Sequence, residues 1–191
     1  NVPVSHHIIY DGCDAQYGGD FIDLYEGHNF WTIRNSELHN FGNGIYTHTP
    51  GNMYNLLVEN NYIHDIGTNN FYHKDAHGVG VQNGINFIIQ NNSFHNTGEA
   101  ITFWSGNYDM KNNTIRYNFI KDVYKKSNTN GGGIVIAGRT TPERRHSYFI
   151  YGNIILNPGL GTNDDFEGGG ITVNIGGDAN LRIYNNVIYN E

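Results

Sequence analysis

Residues 86–104 read NFIIQNNSFHNTGEAITFW. The stretch divides into an apolar run at 87–90, an Asn-Asn corner at Asn91 and Asn92, and a short run ending in His95. A Gly turn then leads into a third run from Ala100 to Trp104. Alternating apolar and polar residues favour strands in each run, and Asn and Gly favour the turns between them. Imperfect copies recur, as in FWTIRNSELHNFGNGIYTH (30–48) and MYNLLVENNYIHDIG (53–67). A unit this short cannot bury its own apolar side, so the copies must stack on one another.

Laying the copies over each other produces columns. Ile33, Val58, Ile89, Ile115, Ile150 and Ile183 share one position. Leu38, Ile63, Phe94, Ile120, Ile155 and Ile188 share a second, and Ile22, Ile45, Val79, Ile101, Ile134 and Ile171 a third. Alternation within a strand turns these residues inward. Three inward columns predict an all-β, prism-shaped solenoid of about six to seven coils with three strands each, a single domain over residues 1–191. Between the first two columns lie Ser36, Asn61, Asn92, Asn118, Asn153 and Asn186. Asn tolerates left-handed backbone, and its amide bonds neighbouring main chain, so this column should turn the corner and form a ladder. The steps along it are 25, 31, 26, 35 and 33 residues. The excess falls in insertions just before the third strand (68–74, 124–130 and 158–167), which should crowd one edge of the prism, where function concentrates.

The 191 residues carry a formal charge of -7, which argues against general binding to nucleic acid or an anionic membrane surface. Eight of the 11 Lys and Arg lie between 111 and 145, either as a solvated basic edge or as a subsite for an acidic ligand. Cys13 is alone, so no intrachain disulfide forms. There is no apolar run long enough to cross a membrane as a helix and no signal-like start. Both ends fall within a repeat, which suggests part of a longer solenoid with flanking domains.

The segments NNYIHD…GVGVQN, NNSFHN…GEAITFW, YNFIKD…GGGIVI and GNIILN…GGGITV resemble the right-handed parallel β-helix repeat of the pectate-lyase-like superfamily. The resemblance covers nearly the whole chain. It implies a fold shared by polysaccharide lyases, glycoside hydrolases, uronate C5-epimerases, phage tailspikes and non-catalytic surface proteins, and the fold does not select among them.

The third strand should carry the chemistry on its outward side. One outward column reads Asp23, Tyr46, Gly80, Thr102, Val135, Thr172, and the next Tyr25, His48, Gln82, Trp104, Ala137, Asn174. The position just before the strand reads Asp20, Asn43, His77, Glu99, Gly132, Gly169. Aromatic rings among hydroxyl and amide groups suit a sugar chain, so Tyr25, Tyr46, His48, Gln82, Thr102, Trp104 and Arg139 are expected to bind a polysaccharide or oligosaccharide. The alternative is that insertions cover these rings.

The densest cluster is Tyr72-His73-Lys74-Asp75-Ala76-His77, with Glu99 one coil on. With coils about 4.8 Å apart, Asp75 and Glu99 would lie roughly 5–8 Å from each other, a separation that suits glycoside hydrolysis with His77 assisting. Tyr72-x-x-Asp75-x-His77 is also similar to the YxxDPH motif of mannuronan C5-epimerases. That resemblance implies Tyr72 and His77 as the acid/base pair, Asp75 as support, and Lys74 as the nearest charge for the carboxylate; Ala76 and Gly78 depart from it. A lyase would need similar parts, with Arg139 or Lys111 as clamp. The column His39, His64, His95, Lys121 is read as structural repeat rather than zinc site. Asp164, Asp165 and Glu167 form an acidic loop for which Ca²⁺ is an option, and no metal or cofactor is required. The runs beginning at Gly131 and Gly168 are read as turns.

The leading expectation is a secreted or cell-surface enzyme that hydrolyses extracellular polysaccharide through Asp75 and Glu99. Uronate lyase or epimerase action through Tyr72, Lys74 and His77, and a non-catalytic carbohydrate-binding or adhesive solenoid, remain open.

Overall fold

The computed structural model describes residues 8–48, 51–67, 76–105, 108–123, 132–139, 145–159, 169–176 and 179–191. All strand pairing is parallel. One sheet stacks the first strand of each coil: Ile8–Asp11, Trp31–Arg34, Leu56–Glu59, Ile88–Gln90, Met110–Arg116, His146–Tyr151 and Ala179–Tyr184. The second strands are Tyr62–Ile66, Ser93–Thr97, Phe119–Lys121, Ile154–Leu156 and Val187–Tyr189, and the third are His77–Val81, Glu99–Ser105, Gly132–Arg139 and Ile171–Gly176. In the first two coils the second and third strands run on as single 11-residue strands, Asp14–Leu24 and Glu37–Thr47. No insertion separates the two strands there. Glu37–Thr47 therefore pairs with Tyr62–Ile66 through one half and with His77–Val81 through the other, which links two faces of the prism.

Register follows the sequence columns. Ile33 pairs with Val58, Val58 with Ile89, Ile89 with Ile115, Ile115 with Ile150 and Ile150 with Ile183. The Leu38 and Ile22 columns pair in the same way. Their inner members are fully buried and form one continuous aliphatic core, widened by Phe87, Phe103, Met110 and Tyr148.

The Asn column forms the expected ladder. The side-chain amides of Asn61, Asn92, Asn118 and Asn153 each donate to the Oδ1 of the next rung, at 2.9–3.0 Å. Each amide also donates to a main-chain carbonyl of the preceding coil, Ile33, Val58, Ile89 or Ile115. The bend itself is made one residue earlier than expected. Asn35, Asn60, Asn91, Tyr117, Gly152 and Asn185 take the left-handed backbone at φ 51–66°, leaving the ladder residue free to point its amide inward. The corner after the second strand uses the same device at Asn40, Asp65, Asn96, Asp122 and Asn157.

Gly132 and Gly133 are strand residues, not a turn. A Cβ at Gly133 would stand 2.6 Å from the Gly170 carbonyl oxygen, so the close approach of the two coils requires glycine there.

Candidate functional site

The outward side of the third-strand sheet gathers the polar and aromatic residues that the sequence columns single out. Glu99 pairs opposite His77, Thr102 opposite Gly80, and Tyr46 opposite both Gly80 and Asp23. Asn43 lies between Asp20 and His77: its amide donates to Asp20 Oδ1 at 2.8 Å, and its Oδ1 accepts from the His77 main-chain N–H at 2.9 Å.

His77 and Glu99 form the centre of this face. His77 Nδ1 lies 2.9 Å from Glu99 Oε2, with side chains only 8% and 6% exposed. No hydrogen bond forms at His77 Nδ1, so the contact is a close approach of the two groups rather than an aligned hydrogen bond. Thr102 donates its hydroxyl to the same Oε2. Glu99 is thus occupied from two sides, and Nε2 of His77 has no hydrogen-bond partner among the described residues.

Tyr46 lies over this pair. Its ring stacks on His77 at 5.6 Å and 20°, and its hydroxyl accepts from Gln82 Nε2 at 2.6 Å. Gly80 makes the stack possible, because a Cβ there would run into the Tyr46 ring. On the other side Tyr46 meets His48 edge-on at 4.7 Å, and Tyr25 stacks on His48 at 4.7 Å and 9°. His48 Nε2 reaches Asp23 Oδ1 at 3.0 Å. The proton affinity of Asp23 is raised, first by burial and further by the nearby Asp20 charge, against the lowering effect of the bond from His48.

The expected binding residues therefore divide. Tyr25 and Trp104 are exposed, Trp104 by 53%. Tyr46, His48 and Gln82 are half-buried and hold one another. Thr102 is buried and spends its hydroxyl on Glu99. Arg139 ends its strand opposite Gly176, with its side chain outside the described residues. Tyr72, Lys74, Asp75 and the acidic loop of Asp164, Asp165 and Glu167 also lie outside them. Lys111 is the second residue of the first-sheet strand Met110–Arg116, and its ammonium is taken up by Asp109.

The His39, His64, His95 column stacks as the sequence indicates, with the His39 and His64 rings 4.9 Å apart. Each imidazole is paired with a carboxylate: His39 with Asp14, His64 with Glu37 and Asp65, and His95 with Asp122. Among the described residues one group gathers ligand atoms closely enough for a metal, namely Asp20, Asp23 and His48, within 4.8 Å of one another. The columns hold all three residues. Their convergence was not visible because it joins neighbouring coils diagonally across the face.

The family described as "Right handed beta helix region" matches residues 3–191. No curated protein and no solved structure gives a match to the chain. The match spans the ladder, the three inward columns and the polar face alike, and the chain belongs to the right-handed β-helix family.

Proposed function

We propose that the third-strand face is the active site of an extracellular polysaccharide-active enzyme, in which His77 moves a proton and Glu99 positions it. The observation that carries this reading is the 2.9 Å approach of Glu99 Oε2 to His77 Nδ1 in a buried setting. A carboxylate beside one ring nitrogen balances the charge that forms when the other nitrogen takes a proton, and the Tyr46 ring stacked on the imidazole limits its rotation. Glu99 is a poor candidate for the freely reaching acid of a glycosidase, because its Oε2 is already engaged by His77 and Thr102. The geometry therefore favours proton abstraction from a uronate, as a lyase or C5-epimerase performs it, over hydrolysis by a carboxylate pair. Trp104 and Tyr25 offer exposed rings to the sugar chain on the same face. They stand three coil steps apart, about 14 Å, so the chain would run along the solenoid axis.

The test is incubation with uronate-rich polysaccharides in deuterated water. Deuterium at C5, or the ultraviolet absorbance of an unsaturated uronate, is the expected result. His77→Gln should lower the rate by about 10²–10⁴-fold. New reducing ends with neither signal would return the site to hydrolysis by Asp75 and Glu99. Retention on the polysaccharide without turnover would make the face a binding module.

A further inference from the structure

We infer that Asp20, Asp23 and His48 form a binding site for one divalent transition-metal ion, of the Zn²⁺ or Mn²⁺ type, that ties the first described coil to the second. Their ligand atoms lie within 4.8 Å of one another, a spread that a single ion can bridge. Asp20 and Asp23 come from the strand Asp14–Leu24, and His48 follows the neighbouring strand Glu37–Thr47. The donor set is mixed: two hard carboxylate oxygens and one borderline imidazole nitrogen. That mixture suits Zn²⁺ or Mn²⁺ better than Ca²⁺, which takes oxygen ligands throughout. Three protein ligands leave coordination positions for water or a ligand.

Three further features support the site. First, no Lys or Arg among the described residues pairs with Asp20 or Asp23, which leaves His48 as the basic group facing Asp23. Second, His48 is held in place from outside the group, by the Tyr25 ring stacked on it and the edge of Tyr46. Third, Asp20 is oriented by the Asn43 amide at 2.8 Å, a hydrogen bond to a ligating carboxylate of the kind that tunes metal sites. The side chains of His48 and Asp23 are 30% and 37% exposed, so an ion can enter. The site differs from the sequence expectation in place: that expectation required no metal, left Ca²⁺ open at the acidic loop and weighed zinc at the His39, His64, His95 column, which it read as structural repeat. It does not depend on the reaction proposed above, because binding is read without turnover.

The experiment titrates Zn²⁺, Mn²⁺ and, for comparison, Ca²⁺ into chelator-treated protein by calorimetry, with thermal unfolding followed in parallel. The expected result is one Zn²⁺ or Mn²⁺ per chain, Ca²⁺ binding more weakly, and an unfolding temperature raised by several degrees. His48→Gln should weaken binding by at least ~10-fold. Asp20→Asn should unfold at or above the temperature of the metal-free parent, since it removes one of two facing charges, and should lose the response to metal. His39→Gln, in the imidazole column on the other face, should bind as the parent does. Absence of binding, or binding kept in His48→Gln and Asp20→Asn but lost in His39→Gln, overturns the proposal.

Discussion

At the scale of single residues, the Asn ladder concentrates stability in few atoms. Asn92 is buried, accepts from the main-chain N–H of Asn61 and donates to the carbonyl of Val58. Asn92→Ala strands both groups away from water, and each stranded group costs about 1–3 kcal/mol. A total loss of ~2–6 kcal/mol is expected in denaturant unfolding. Asn186, half-exposed on the last rung, should cost under ~1 kcal/mol on the same change. Asp65 sets a pH dependence. Burial alone would raise its pKa, but hydrogen bonds from Asn96 and His64, with the His64 and His95 charges, outweigh that and hold it below the ordinary 3.8. A depressed carboxylate stabilises the fold above its unfolded value, and the contribution is lost as pH falls below 3.8 toward the folded value. Asp65→Asn, which keeps a side chain tolerant of the left-handed backbone at φ 54°, should therefore flatten the decline of unfolding temperature with acid in that range by lowering the neutral value, where the charged form's contribution is lost. Asn92 is readable as a corner residue in the sequence, whereas the corner at Asp65 appears only in the structure. Which of two adjacent Asn residues bends and which bonds is not readable there, because the pair is chemically identical and only φ separates them.

At the scale of elements, the three strands of a coil are held at unequal closeness. The third-strand sheet meets the second-strand sheet through a column of small residues, Gly44, Gly78, Ala100, Gly133 and Gly170, each just before an inward aliphatic. Gly133→Ala would set a methyl group 2.6 Å from the Gly170 carbonyl and 2.8 Å from the Ile155 side chain. Overpacking against backbone of this kind costs about 1–3 kcal/mol, measurable as a lower denaturant midpoint with an unchanged slope. Ala100 shows that the column admits a methyl group where spacing allows. The Gly-rich runs of the sequence suggest turns because Gly is the usual turn residue. Coil-to-coil distance, a property of neighbouring chain, places Gly132 and Gly133 in a strand instead, while Gly169 and Gly170 lie just ahead of the next one. The same dependence on neighbours separates the outward columns. Thr102 and Val135 alternate outward yet are buried, so alternation gives the side of the sheet and not exposure to solvent.

At the scale of the whole molecule, the prism divides its work between faces. One corner carries the Asn ladder, one face carries carboxylate-paired imidazoles, and the third-strand face carries Tyr25, Tyr46, His48, His77, Glu99 and Trp104. Trp104→Ala tests whether that last face holds a sugar chain. Trp104 is 53% exposed, so stability should change by no more than ~0.5 kcal/mol while retention on an immobilised polysaccharide falls by about 10-fold. The sequence by itself determined the coil, the three inward columns, the register between them and the ladder. These depend on period-two alternation and on an Asn recurring at every corner, and stacking identical units leaves little freedom in how they align. Tertiary structure alone decided which outward groups meet. The column before the third strand sets Glu99 one coil on from His77, but the close approach of their side chains, and that of His48 to Asp23 and Asp20 across columns, joins residues 22 to 28 positions apart through side-chain directions that the columns do not record. Burial then sets their surroundings: the Glu99 carboxylate, expected to reach a substrate, is held under the surface beside the His77 ring and the Thr102 hydroxyl.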